Sequence, residues 1–146
     1  MKTSSQIYDG LIENYLLLVD SDRQFFAHYH LSQVRYFALL HISQNPEISL
    51  TELSKKLLCT KGNTTRIIQG LVADNLLLVT KDHADRRAMN LNLTDKGWKI
   101  FQQVKTDFDK FNQNRFVSLN ANIDQFMELN AILKTGLEKS LKSIDR

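Results

Sequence analysis

Hydrophobic positions recur at helical spacing through most of the chain. In residues 5–27, Ile7, Leu11, Tyr15, Leu18 and Phe25 share one face, with Ile12 and Val19 beside it. Positions three and four apart lie on the same side of an α-helix, so this pattern predicts an amphipathic helix, broken by His28-Tyr29-His30. Later helix starts are read from capping chemistry. Ser32, between Leu31 and Tyr36, fits an N-cap with a hydrophobic staple, and its helix stops before Pro46. Ser49-Leu50-Thr51-Glu52 is a full capping box with Ile48 and Leu53 at the staple positions, opening a short helix over about 49–57. Thr60 caps a helix to about Asp74, and Thr94, flanked by Leu93 and Trp98, caps a long one. That last helix carries Phe101, Val104, Phe108 and Phe111 at 3-4 spacing. After Ser118-Leu119-Asn120, another carries Ile123, Phe126, Leu133, Leu137, Leu141 and Ile144.

One region departs from the helical period. Leu76-Leu77-Leu78-Val79-Thr80 is a short apolar run, and Met89-Asn90-Leu91-Asn92-Leu93 alternates with period two. Lys81-Asp82-His83-Ala84-Asp85-Arg86-Arg87 lies between them, so the segment predicts a hairpin with a charged tip. The expected fold is mainly α with one small β-hairpin, in a single unit over 1–146.

Composition narrows the class. One Pro and five Gly in 146 residues disfavour an all-β fold with many turns. One Cys excludes an intramolecular disulfide and a Cys-based zinc knuckle. No apolar run approaches the roughly 18 residues of a membrane span, and the opening Met-Lys-Thr-Ser-Ser-Gln has no signal-peptide pattern. A cytoplasmic protein is therefore expected. Charge is uneven: residues 1–48 carry three basic and five acidic side chains, residues 49–97 eight and five, and residues 98–146 eight and six. The middle segment is the most basic, which points to an anionic partner.

Two helices at about 49–57 and 60–74, joined by a few residues, form a helix-turn-helix whose second helix can enter a major groove. On that helix Thr64, Ile67, Ile68 and Leu71 gather on one face. Gly62, Asn63, Thr65, Arg66 and Gln69 lie on the rest, with Lys61 at the start. Those side chains can bond base edges or phosphates, and Gly62 permits close backbone approach. A basic hairpin directly after a helix-turn-helix is a wing. An Arg at its tip can enter the minor groove, and Asp85 is placed to orient Arg87 beside Arg86.

The ordered set Ser49-Leu50-Thr51-Glu52-Leu53-Ser54, Thr60-Lys61-Gly62-Asn63-Thr64-Thr65-Arg66, Leu71-Val72, Asp85-Arg86-Arg87 and Leu93-Thr94-Asp95-Lys96-Gly97 resembles the MarR family of bacterial transcription regulators. The match covers about residues 48–97. The resemblance implies a winged helix-turn-helix over about 32–97, flanked by dimerisation helices over about 5–27 and 98–144. It implies a homodimer that binds a pseudo-palindromic DNA operator, usually as a repressor, and is released by a small-molecule effector. Lys61, Gly62, Asn63, Thr65, Arg66, Gln69, Asp85, Arg86 and Arg87 are the expected DNA-binding residues. Two positions depart from the family pattern: Thr64 stands where an aliphatic residue is usual, which predicts looser packing, and Asn75 stands where Gly is usual, a mild change because Asn tolerates a left-handed cap.

The family often binds small aromatic acids between the dimer arms and the winged helix. Tyr15, Arg35, Tyr36 and His41 are the candidate effector residues, with Arg35 as the carboxylate partner because it is the only basic side chain in residues 32–48. Thiol-based oxidant sensing through Cys59 is an alternative. The sensing Cys of such relatives lies near the N-terminus, and Cys59 reads better as a small packing residue. His28, His30, His41 and His83 have no Cys, Asp or Glu at ligand spacing, so no metal is expected. The Phe101, Phe108 and Phe111 stripe reads as packing. No nucleophile elbow, phosphate loop or glycine fingerprint is present, so no catalytic residue and no cofactor are expected. A winged helix used only for protein contacts is the remaining rival, and it gives no reason for Lys61, Arg66, Arg86 and Arg87 to share a surface.

Overall fold

The computed structural model describes residues 2–81 and 89–144. The charged hairpin tip, with His83, Asp85, Arg86 and Arg87, lies outside the described residues. Helix α1 (Ser4–Ala27) opens on a capping box: Thr3 accepts from the Gln6 N–H, and Gln6 accepts from the Thr3 N–H. Helices α2 (Gln33–Gln44), α3 (Leu50–Leu57), α4 (Lys61–Ala73) and α5 (Asp95–Arg115) follow the expected caps. Ser32, Ser49, Thr60 and Thr94 each accept an N–H from the residue three places on, at 3.3, 3.1, 3.1 and 2.9 Å. A 3₁₀ turn (Val117–Asn122) leads to α6 (Ile123–Ile144).

The described residues pack as two units, 1–106 and 107–146, with the division inside α5. The core of the first is built on α2, whose Tyr36, Ala38, Leu39 and Ile42 are all buried. Tyr36 stacks on Phe26 of α1 at 5.0 Å and meets Phe101 of α5 at 5.9 Å. Leu53 of α3, Leu71 of α4 and Val104 of α5 are fully buried with them. The hairpin β1 (Leu77–Lys81) and β2 (Met89–Leu93) is antiparallel, pairing Leu77 with Leu93 and Val79 with Leu91. Leu77, Leu91 and Leu93 face the core while Leu78 is exposed, as period-two alternation requires. The Leu91 N–H donates to the Pro46 carbonyl at 3.0 Å, which ties β2 to the loop between α2 and α3.

Two local features explain sequence departures. Thr64 is wholly buried, but its packing is not loosened: its hydroxyl pairs with that of Ser54 at 2.9 Å and with the Thr60 carbonyl at 2.9 Å. The Ser54 hydroxyl also lies 2.7 Å from the Leu50 carbonyl. Either hydroxyl can donate to the other and leave no polar group stranded. Asn75 takes the left-handed conformation (φ 59°) expected of its Gly substitute. Leu58 does the same (φ 52°) at the end of α3, and it is 94% exposed. Gly97 is required where α5 leaves the hairpin, because a Cβ there would collide with the Leu76 carbonyl. Thr94 completes that joint by donating to the Asn75 carbonyl at 2.6 Å.

In the second unit the Arg115 guanidinium lies over Phe111 at 4.7 Å, Phe116 at 4.9 Å and Phe108 at 5.6 Å. Helix α6 leaves Phe126, Met127, Ile132, Leu137, Leu141 and Ile144 exposed. Within the first unit, α1 likewise exposes Ile7, Tyr8, Tyr15, Leu16 and Leu17. No helix among the described residues is long and apolar enough to cross a membrane.

Candidate nucleic-acid interface

Helices α3 and α4 pack directly on each other, and the turn between them holds Leu58, Cys59 and the cap Thr60. On α4, Thr64, Ile68 and Leu71 are buried. Lys61, Gly62, Asn63, Arg66 and Gln69 are exposed, as the helical wheel expects, while Ile67, expected on the apolar face, is half-buried. Thr65 is half-buried and donates its hydroxyl to the Lys61 carbonyl at 2.9 Å. Gln69 and Thr65 border an apolar cavity of about 400 Å³ between α4 and the hairpin, with Val72, Val79 and Met89. Asp85, Arg86 and Arg87 lie outside the described residues.

A Cβ on Gly62 would meet nothing within 4 Å. The fold therefore has no need for glycine here, and glycine in a helix costs roughly 0.5–1 kcal/mol relative to Ala. Gly62→Ala is accordingly expected to raise thermal stability by about that amount, which melting of the variant beside the wild type checks.

A second cavity, of about 510 Å³, is lined by Tyr15, Gln33, Val34, Phe37, Leu40, His41, Lys56, Leu57 and Leu58. Tyr15 and His41 are thus brought together as the sequence suggested. Tyr36 and Arg35 do not line it. Successive residues of a helix point about 100° apart. With Val34 and Phe37 on the cavity, Tyr36 turns into the core and Arg35 turns toward α4, where its Nη1 donates to Asp74 Oδ2 at 2.7 Å. The cation at the cavity is Lys56, in the last turn of α3. The sequence gives no local sign of it, because Lys56 meets His41 only through the packing of α3 on α2. Burial, and then the Lys56 charge, hold the His41 pKa below the ordinary histidine value. Cys59 is half-buried, less enclosed than a packing residue, with its Sγ 3.3 Å from the Leu57 carbonyl.

A helix-turn-helix braced by a core helix and followed by an antiparallel hairpin defines a winged helix-turn-helix, a nucleic-acid-binding class. Residues 31–89, from the approach to α2 through to the start of β2, match the sequence profile of the MarR family. Among curated relatives, the HTH-type transcriptional regulator BilQ of Clostridioides difficile is 33% identical over 86 residues, 59% of this chain and 58% of that one. The chain thus spans less than two thirds of that relative's length. The Staphylococcus aureus MarR structure in complex with salicylate and kanamycin superposes with a TM-score of 0.78 at 22% identity, covering 95% of this chain and 93% of that one. The transcriptional repressor CouR bound to a 23-mer DNA duplex gives a TM-score of 0.76 at 22% identity, covering 92% and 97%. At such identities the two structures establish a shared fold.

Proposed function

We propose that this protein is a homodimeric, sequence-specific DNA-binding transcription regulator, a repressor rather than an enzyme, acting in the cytoplasm on a pseudo-palindromic operator. The observation that carries this reading is α4. Its apolar face is locked into the core by Thr64, Ile68 and Leu71, while Asn63, Arg66 and Gln69 are exposed on the rest of the helix, with Lys61 at its start. Such a helix presents bidentate and phosphate-binding side chains at a fixed pitch, as major-groove readout requires. Arg86 and Arg87 extend the surface along the wing in this reading. CouR supports it as a similar fold seen on a DNA duplex. The test is selection of binding sites from a randomised duplex library. Enrichment of an inverted repeat supports the reading, and recovery of unselected sequence contradicts it.

The cavity beside α2 is the proposed effector site. The resemblance to a salicylate-bound structure supports an aromatic acid as the ligand class. Phe37, Val34, Leu40 and Leu57 would hold the ring, and Lys56 with His41 the carboxylate. A bound anion favours the charged imidazole, so binding takes up a proton at His41. Affinity for salicylate is therefore expected to rise as pH falls from about 8 to about 6, toward the depressed His41 value in the free protein. Calorimetry across that range checks the sign, and His41→Gln should flatten the dependence.

A further inference from the structure

Two glycines lie in the recognition helix α4, and the fold treats them differently. A Cβ on Gly62 would find open space, whereas one on Gly70 would run into the Arg35 guanidinium, at Nη2 first and at Cζ next. Glycine weakens a helix interior. At position 70 it leaves room for a planar cation to lie directly on the helix backbone. That cation comes from α2, and it reaches the C-cap of α4, where Arg35 Nη1 donates to Asp74 Oδ2 at 2.7 Å. From α5, Lys96 Nζ adds a bond to the Asp74 backbone carbonyl at 3.1 Å. Both cations sit at the negative end of the α4 dipole.

The Arg35 and Asp74 side chains are 30% and 54% exposed, so the pair contributes little to stability. What it fixes is geometry. Helix α2 buries Tyr36, Ala38, Leu39 and Ile42 in the core, and its Arg35 holds α4 by its last turn, through contact with Gly70 and a bond to Asp74. Asn63, Arg66 and Gln69 ride on the same rigid helix, so a small rotation at Gly70 displaces them all. Hydrogen-bonded recognition tolerates only about 0.5 Å of misplacement.

We infer that Arg35, Gly70 and Asp74 form a clamp that positions the recognition helix for base-specific contact without touching DNA. The inference rests on the DNA-binding reading above. Arg35, Gly70 and Asp74 are positioning residues, so each variant should lose sequence-specific affinity and keep electrostatic affinity.

The test uses the full chain with two probes: a fluorescein-labelled duplex selected by the wild-type protein from a randomised library, and sonicated DNA of random sequence. Gly70→Ala is expected to melt at or above the wild-type temperature yet bind the selected duplex about tenfold more weakly. Its affinity for random DNA and its salt slope should not change. Arg35→Ala should lose a similar factor, and Arg35→Ala with Gly70→Ala should be no worse than either alone, because the new methyl then has nothing to displace. Asp74→Ala should also weaken specific binding, although removing an acidic charge near DNA would by itself strengthen it. Gly70→Ala binding the selected duplex like the wild type overturns the clamp. Losses that add in the double variant overturn it too, as does an Arg35→Ala salt slope smaller by about one per half-site, which would make Arg35 a phosphate contact. Asp74→Ala binding more tightly does the same. A wild-type protein that enriches no sequence overturns the DNA-binding reading, and the clamp with it.

Discussion

Replacing Leu137 and Leu141 together by Asp is expected to convert the protein to a folded monomer and to lower operator affinity at least about a hundredfold. The motive is the apolar surface of α6, where Phe126 and Leu129, then Leu137, Leu141 and Ile144, recur three and four apart and all are exposed. Monomeric soluble proteins rarely leave so continuous an apolar stripe in water, and a second copy of the same stripe is its natural cover. A dimer doubles the number of recognition helices on one operator, and linked half-sites multiply rather than add in affinity. Charge at two central positions of the stripe would be left buried and unpaired in the dimer. Neither side chain belongs to the core of residues 1–106, so the far-ultraviolet spectrum should be preserved. Sedimentation velocity reads the mass directly, and a wild-type monomer at micromolar concentration would remove the basis of the prediction.

Arg66→Ala is expected to give the second large loss, between about thirtyfold and roughly twenty-five-thousandfold in operator affinity, with no change in melting. Removing one arginine that reads a base or holds a phosphate costs about 1–3 kcal/mol, and a dimer carries two copies. Arg66 is exposed on α4, one helical turn after Gly62, with its neighbours Thr64 and Ile68 holding the helix down. An exposed side chain with so little packing contributes little to stability, so melting and binding should separate cleanly. Arg87→Ala tests the wing in the same way. Binding by Arg66→Ala at wild-type affinity would assign the groove to another element.

Much of this architecture was legible because it is written in local chemistry. Ser49-Leu50-Thr51-Glu52 marks its own helix start, Thr60 and Thr94 do likewise, and the alternation in Met89–Leu93 names the inward face of β2. The exposed face of α4 followed from the spacing of Thr64, Ile68 and Leu71. What local chemistry could not show are partners distant in sequence. Arg35 finds Asp74 thirty-nine positions away, and Ser54 finds Thr64 across a helix crossing. Arg35 and Tyr36 are consecutive, yet the first faces α4 and the second faces the core. The family resemblance offers both to the same effector. Only the rotation of α2 about its own axis decides which residues face the cavity, and that rotation is set by tertiary packing. Leu58 makes the same point: a left-handed leucine at a turn is invisible to any rule that looks for glycine there.

The central claim is that this surface neutralises DNA phosphates while it reads bases. Its most direct test is fluorescence anisotropy of the selected duplex across a salt series. If Lys61, Arg66, Arg86 and Arg87 of both protomers neutralise about six to eight phosphates, log K against log salt should fall with a slope of roughly −5 to −7. A slope near zero would contradict the account, because no winged helix using these basic side chains on DNA can bind independently of salt.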